Sequence, residues 1–141
     1  MPIDERWNAL TESDWDAFAA AWINELRGAS SDSDSDVGQS VAMMNFTTAA
    51  DHQWSFLSAA MNHAESDDEL GHIAAGPFEH LLSKHGDHYI ALVEERAASD
   101  PKFARMVTGA WKHLMSDDVW QRVQALQTAC RNHLAGGGPH A

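Results

Sequence analysis

The sequence predicts an all-α protein, a compact bundle or HEAT-like array of about seven short helices. Three observations carry that prediction. Apolar residues recur at three- and four-residue spacing almost throughout, no stretch sustains the alternation of a strand, and cap-forming residues precede most of the periodic runs. The connections are very short, which favours crossed packing over an up-and-down four-helix bundle.

The first helix is expected over residues 12–27. Thr11 and Asp14 form a capping pair, Trp15, Phe18, Trp22 and Leu26 share one stripe, and Gly28 ends it. Residues 1–28 therefore read as an N-terminal helical segment. Residues 29–40, "ASSDSDSDVGQS", read as an acidic Ser/Asp linker, because their composition favours solvent and local turns. Asp32, Asp34 and Asp36 imitate the first three ligands of a calcium loop, but Val37 stands where the sharp turn calls for Gly and Met43 where a bidentate Glu should close the sphere. Starting at Asp34 puts Gln39 and Asn45 there instead, so the segment is no calcium site.

Residues 41–135 read as the main helical domain and residues 136–141 as a flexible tail. "VAMMNF" at 41–46 is an apolar lead-in, extended or helical. Thr48 and Asp51 pair as a cap for a helix over 51–64 with Trp54, Leu57 and Met61 inward. Ser66 and Glu69 form an S-x-x-E capping box for a short helix stopping near Ala75. Gly76-Pro77 reads as a stop and a start, with Phe78, Leu81 and Leu82 on the buried side. Gly86 is expected as the left-handed residue after that helix, and Asp87 as the cap of another carrying Tyr89, Leu92, Val93 and Arg96.

Asp100-Pro101 repeats the cap-then-Pro signature and opens a strongly amphipathic run: Phe103, Met106, Val107, Ala110, Trp111 and Leu114. Ser116 caps the last helix, whose stripe is Val119, Trp120, Val123, Leu126, Cys130 and Leu134. Trp54, Trp111 and Trp120 are assigned to the core by their helical spacing.

The composition narrows function. Twenty-one acidic residues against nine Lys and Arg leave a formal charge of −12, which repels phosphate backbones and anionic lipid surfaces and suits a basic protein partner. No nucleic acid and no membrane is expected as a partner. The longest apolar run, "AFAAAWI" at 17–23, is far short of the roughly 20 residues of a membrane span. A single cysteine, Cys130, and a first segment without the basic start and apolar run of a signal peptide point to a reducing cytoplasm.

Nine histidines make metal binding the obvious enzyme-like hypothesis. Glu69-x-x-His72 has the spacing of a di-iron helix, but no second E-x-x-H exists and Glu69 serves the capping box. Glu79, His80, His85 and His88 are the remaining candidates for a small-ligand or metal site. His80 and His85, five apart, diverge by roughly 140° on one helix, and Gly86 separates His85 from His88. They read better as helix-end and surface histidines than as ligands, so no metal, cofactor or catalytic residue is assigned. Cys130 with His133 lacks a third orienting group, and terminal "AGGGP" follows no strand and cradles no phosphate. Trp7, Trp15 and Trp22, beyond the acidic linker, belong to a segment that either docks on the main body or presents an aromatic surface to a partner.

Residues 69–123, with "IAAGPFEHLL", "HG", "DPKF" and "GAW" followed by Trp120, resemble a family of small uncharacterised bacterial proteins with a domain of unknown function. "MNFT" and the segment from Trp54 to Leu57 extend the likeness over residues 44–126. Phe78 and Ala110 replace a usual Leu and Val, and both swaps stay apolar. The resemblance implies no activity and no catalytic residue. By analogy of size and helical character it implies an immunity-type or accessory protein. The leading expectation is therefore a non-enzymatic protein-interaction module, acidic and of immunity or inhibitor type, with a small-ligand or metal-dependent protein as the alternative.

Overall fold

The computed structural model describes residues 5–28 and 36–136, and these form an all-α bundle without a strand among them. After a 3-10 turn at Glu5–Ala9 come α1 (Glu12–Leu26), α2 (Asp36–Thr47), α3 (Ala50–His63), α4 (Asp67–Ile73), α5 (Glu79–Ser99), α6 (Pro101–Val107) and α7 (Asp117–Gly136). No helix among the described residues is long and apolar enough to cross a membrane.

Several local signals act as the sequence predicts. The Thr11 hydroxyl accepts from the Asp14 N–H at 3.1 Å and the Asp14 carboxylate accepts from the Thr11 N–H at 2.9 Å, a closed capping box. Gly28 follows α1 at φ +81°, the left-handed conformation that ends helices. Asp100 accepts from the N–H groups of Lys102 and Phe103, with Pro101 opening α6, and Ser116 accepts from Val119 N–H at the start of α7.

The N-terminal segment is part of the bundle. α1 packs most extensively on α3, burying Trp15, Ala19, Trp22 and Ile23, with the rings of Trp15, Phe18 and Trp22 gathered around Phe56. This corrects the aromatic-surface expectation: Trp15 and Trp22 are 3% and 7% exposed. Half-buried Trp7 stacks on Phe18 and donates its Nε1–H to the Thr47 hydroxyl at 2.7 Å. The stripe that suggested a displayed face is a core stripe, because α3 supplies the matching aromatic.

Other boundaries move for identifiable reasons. α2 begins at Asp36, within the expected linker, because Val41 and Met44 bury against the bundle and pull the preceding turn into helix; residues 29–35 and the tail at 137–141 lie outside the described residues. Ala49, not Thr48, caps α3, and no side chain bonds there. At α4 Ser66 caps as expected, but the Glu69 carboxylate accepts from the Glu65 N–H instead of completing the box.

The largest difference lies at residues 74–99. Gly76-Pro77 does not break the chain: Ala74–Phe78 form a π-helical turn running directly into α5, with the Glu79 N–H reaching back to the Ala74 carbonyl. The wider turn accommodates a proline that has no N–H to give, and it buries Ala74, Pro77 and Phe78. Gly86 is not left-handed, but the break expected beside it is present, because two helical segments meet at a kink there. α5 bends at His85 (φ −134°, ψ 26°) and continues, placing α5 against α2, α3, α6 and α7.

Gly86 is required by proximity. A Cβ there would stand 2.9 Å from Cγ2 and 3.0 Å from Cγ1 of Val119 on α7, a β-branched side chain with little freedom to yield. Gly86→Ala is therefore expected to lower stability by about 1 kcal/mol, overpacking outweighing the helix-propensity gain. A double-mutant cycle with Val119→Ala, read by urea denaturation, checks it: the loss should shrink in the Val119→Ala background.

Candidate functional site

The amphipathic run after Pro101 stops two turns in, and residues 108–116 form the most exposed apolar segment of the described chain. α6 ends at Val107, and Trp111 and Leu114, assigned to the core by spacing, are 75% and 76% exposed. Neighbouring side chains take over the backbone bonds that a longer helix would have made. Buried Gln127 on α7 donates from Nε2 to the carbonyls of Val107 (3.0 Å) and Ala110 (2.9 Å). On α5, Glu79 Oε2 accepts from Trp111 N–H at 2.8 Å, and Ser83 Oγ, one turn on, accepts from Leu114 N–H at 3.2 Å.

The 108–116 loop is thus held from two helices, with Met115 buried in the core while Trp111 and Leu114 face solvent. Its conformation is also strained. His113 adopts φ +49°, a left-handed state costing a non-glycine residue on the order of 1 kcal/mol, which the surrounding anchors sustain.

The exposed apolar surface continues across α5 onto α2. The His80 ring lies 5.5 Å from that of His113 and edge-on to Phe46 at 4.9 Å, while Lys84 sits 5.7 Å above the Phe46 ring and donates to the Asn45 carbonyl. Asn45 is itself fixed beneath the surface, its Oδ1 accepting from Gln53 Nε2 at 3.1 Å. Phe46 and Met43, one turn apart on α2, are 51% and 45% exposed. Phe46, His80, Lys84 and His113 therefore lie together, with exposed Met43 one turn from Phe46 and exposed Trp111 and Leu114 either side of His113 in the loop, an apolar face whose cation is Lys84.

The titrating groups respond to burial and to each other. Burial raises the Glu79 carboxyl above the ordinary glutamate range, opposed by the Trp111 N–H bond and by His113. Burial depresses His80, with Lys84 and His113 adding to the effect, and it depresses Lys84 as well. His85 is depressed by burial and by Lys84 and His88.

The four sequence candidates are not brought to one point. Glu79 is buried and turned to the loop backbone, His80 lies between Phe46 and His113, His85 occupies the bend of α5, and His88 is exposed. Among the described residues no three His, Cys, Asp or Glu side chains are grouped so as to hold a metal ion. Sequence reasoning missed Phe46, Lys84, Trp111, His113 and Leu114 as a surface. Gly109 as a helix stop, with Lys112 and His113 next within the supposed apolar stripe, is the signal that could have found it.

Away from this face, a groove of about 770 Å³ runs between α4, α6 and the C-terminal halves of α5 and α7. Leu70, Ala97, Ala104, Leu126 and Cys130 line it, and the ion pairs Asp67–Arg105 and Glu94–Arg122 stand at its rim. Cys130 and His133 both line this groove.

The fold and this face define a small acidic all-α protein that carries a fixed, exposed aromatic loop. The chain belongs to a family of unknown function, DUF6869, whose sequence profile matches residues 27–130. That span contains the whole apolar face and excludes all of α1. No curated protein and no solved structure matches the chain.

Proposed function

We propose that this protein is a non-enzymatic protein-interaction module that engages its partner through the face built by Met43, Phe46, His80, Trp111, His113 and Leu114. One observation carries the reading: Trp111 and Leu114 are three-quarters exposed on a loop whose backbone is fastened by Glu79, Ser83 and Gln127. Large apolar side chains in solvent are costly unless something covers them, and a preset loop loses little entropy on docking. Tryptophan is also the residue type that most often anchors protein interfaces. An immunity or inhibitor role in a reducing bacterial cytoplasm accords with the small acidic fold and its single cysteine.

Site-specific photo-crosslinking in the native host tests this. A crosslinker at position 114 is expected to give a discrete heavier adduct, and one at exposed Ala17 on α1 none. Equal patterns at the two positions, or no adduct at 114, would contradict the reading.

A further inference from the structure

The charge of the face runs against the charge of the protein. Against a formal net charge of −12, the exposed apolar residues surround the cation Lys84, with the His80 and His113 rings beside them. Lys84 makes no ion pair among the described residues; its ammonium is held by the Asn45 carbonyl over the Phe46 ring. The nearby carboxylates are otherwise engaged or peripheral. Glu79 is spent on the Trp111 N–H, Asp117 pairs with Lys112, and Asp87 lies one turn along α5 from Lys84.

We infer that the occupant of this face is a protein segment presenting apolar side chains flanked by carboxylates. This rests on the interaction reading and deepens it, and at the contact itself it reverses the basic partner that the net charge alone suggests. Three features of the face carry it. Trp111, Leu114 and Phe46 offer an apolar platform for a partner's large side chains. Lys84, fixed in place and without a carboxylate of its own, is a ready counter-charge whose geometry costs little to use. A contact between copies of this chain would bring together two molecules of formal charge −12 each, so like net charge opposes a second copy as occupant.

The test is selection from a random peptide display library on the full-length protein at physiological ionic strength, with Trp111→Ala as counter-selection and sedimentation velocity run alongside. The expected result is Trp111-dependent peptides enriched in aromatic and aliphatic residues next to Asp and Glu. Their affinity should fall at least about tenfold with Lys84→Glu and several-fold with the milder Lys84→Gln. Trp111-dependent peptides that are neutral or basic would overturn the charge inference and leave the interaction reading standing. Peptides indifferent to Trp111 would overturn both. Self-association abolished by Trp111→Ala would make a second copy the occupant and overturn the inference.

Discussion

Glu69→Gln is expected to destabilise the protein by about 2 kcal/mol at neutral pH, a difference that fades as the medium is acidified toward pH 2. Glu69 is a buried carboxylate gripped from α1. Its Oε2 accepts from Arg27 Nε at 2.9 Å and its Oε1 from Arg27 Nη2 at 3.2 Å, while the Glu65 N–H donates to Oε1 at 2.7 Å. Arg27 also donates to the His63 carbonyl, so one guanidinium joins the end of α1 to the end of α3 and the start of α4. The Arg27 bonds foremost hold the Glu69 carboxyl at about 2 against an ordinary 4.5.

Because folding favours the ionised form, the stabilisation is fully present above pH 4.5 and is lost as pH falls toward 2. The full shift corresponds to about 3 kcal/mol, and partial hydration of Arg27, 38% exposed, reduces it to about 2. Urea denaturation at pH steps from 7 to 2 checks it: wild type and Glu69→Gln should converge at the acid end. A constant gap across that range would show that the pair contributes through packing alone. Arg27→Lys should not restore wild-type behaviour, since an ammonium cannot make the bidentate bond.

Glu79→Ala is expected to release the 108–116 loop with a smaller loss of global stability. The substitution removes the acceptor of the Trp111 N–H, and a lost bond to a charged group is worth about 1.5–3 kcal/mol locally, or about 10- to 100-fold faster amide exchange at Trp111. Glu79→Gln keeps an acceptor and should retain the protection. It should also change the pH profile in the direction opposite to Glu69. Burial raises the Glu79 carboxyl, so its protonated form is favoured by folding and stability declines as pH rises through that raised value. In Glu79→Gln that decline disappears.

Much of the fold was legible where a signal is local. Capping by Thr11, Ser66, Asp100 and Ser116 needs only the residues beside it, and each accepts the N–H expected of it. The misread positions depend on distant neighbours. Gly86 stands beside the expected break at His85 but owes its place to the approach of Val119 from α7 and not to a left-handed turn, and Pro77 looks like a helix start until a π-turn absorbs it. Trp15 and Trp22 read as either docked or displayed across a linker, and only Phe56 on α3 decides that they are core.

Trp111 and Leu114 show the same limit in reverse. Their spacing from Phe103 and Val107 continues the stripe, but the helix stops before Gly109 and Gln127, Glu79 and Ser83 bond the backbone that follows. Of the expected site residues, Glu79 and His80 belong to the face, as a fastening carboxylate and as the ring between Phe46 and His113. No pattern in the sequence joins residues 43–46 to 111–114; only the course of α5 between them does.

A fixed platform at residues 108–116 and a frayed helix end differ most directly in native-state hydrogen exchange, followed by NMR at the Trp111 and Leu114 amides. If the platform is fixed, both amides are protected well beyond free-peptide rates although their side chains lie in water, and Glu79→Ala selectively loses the protection at Trp111. Exchange of both at free-peptide rates in the wild-type protein would contradict it.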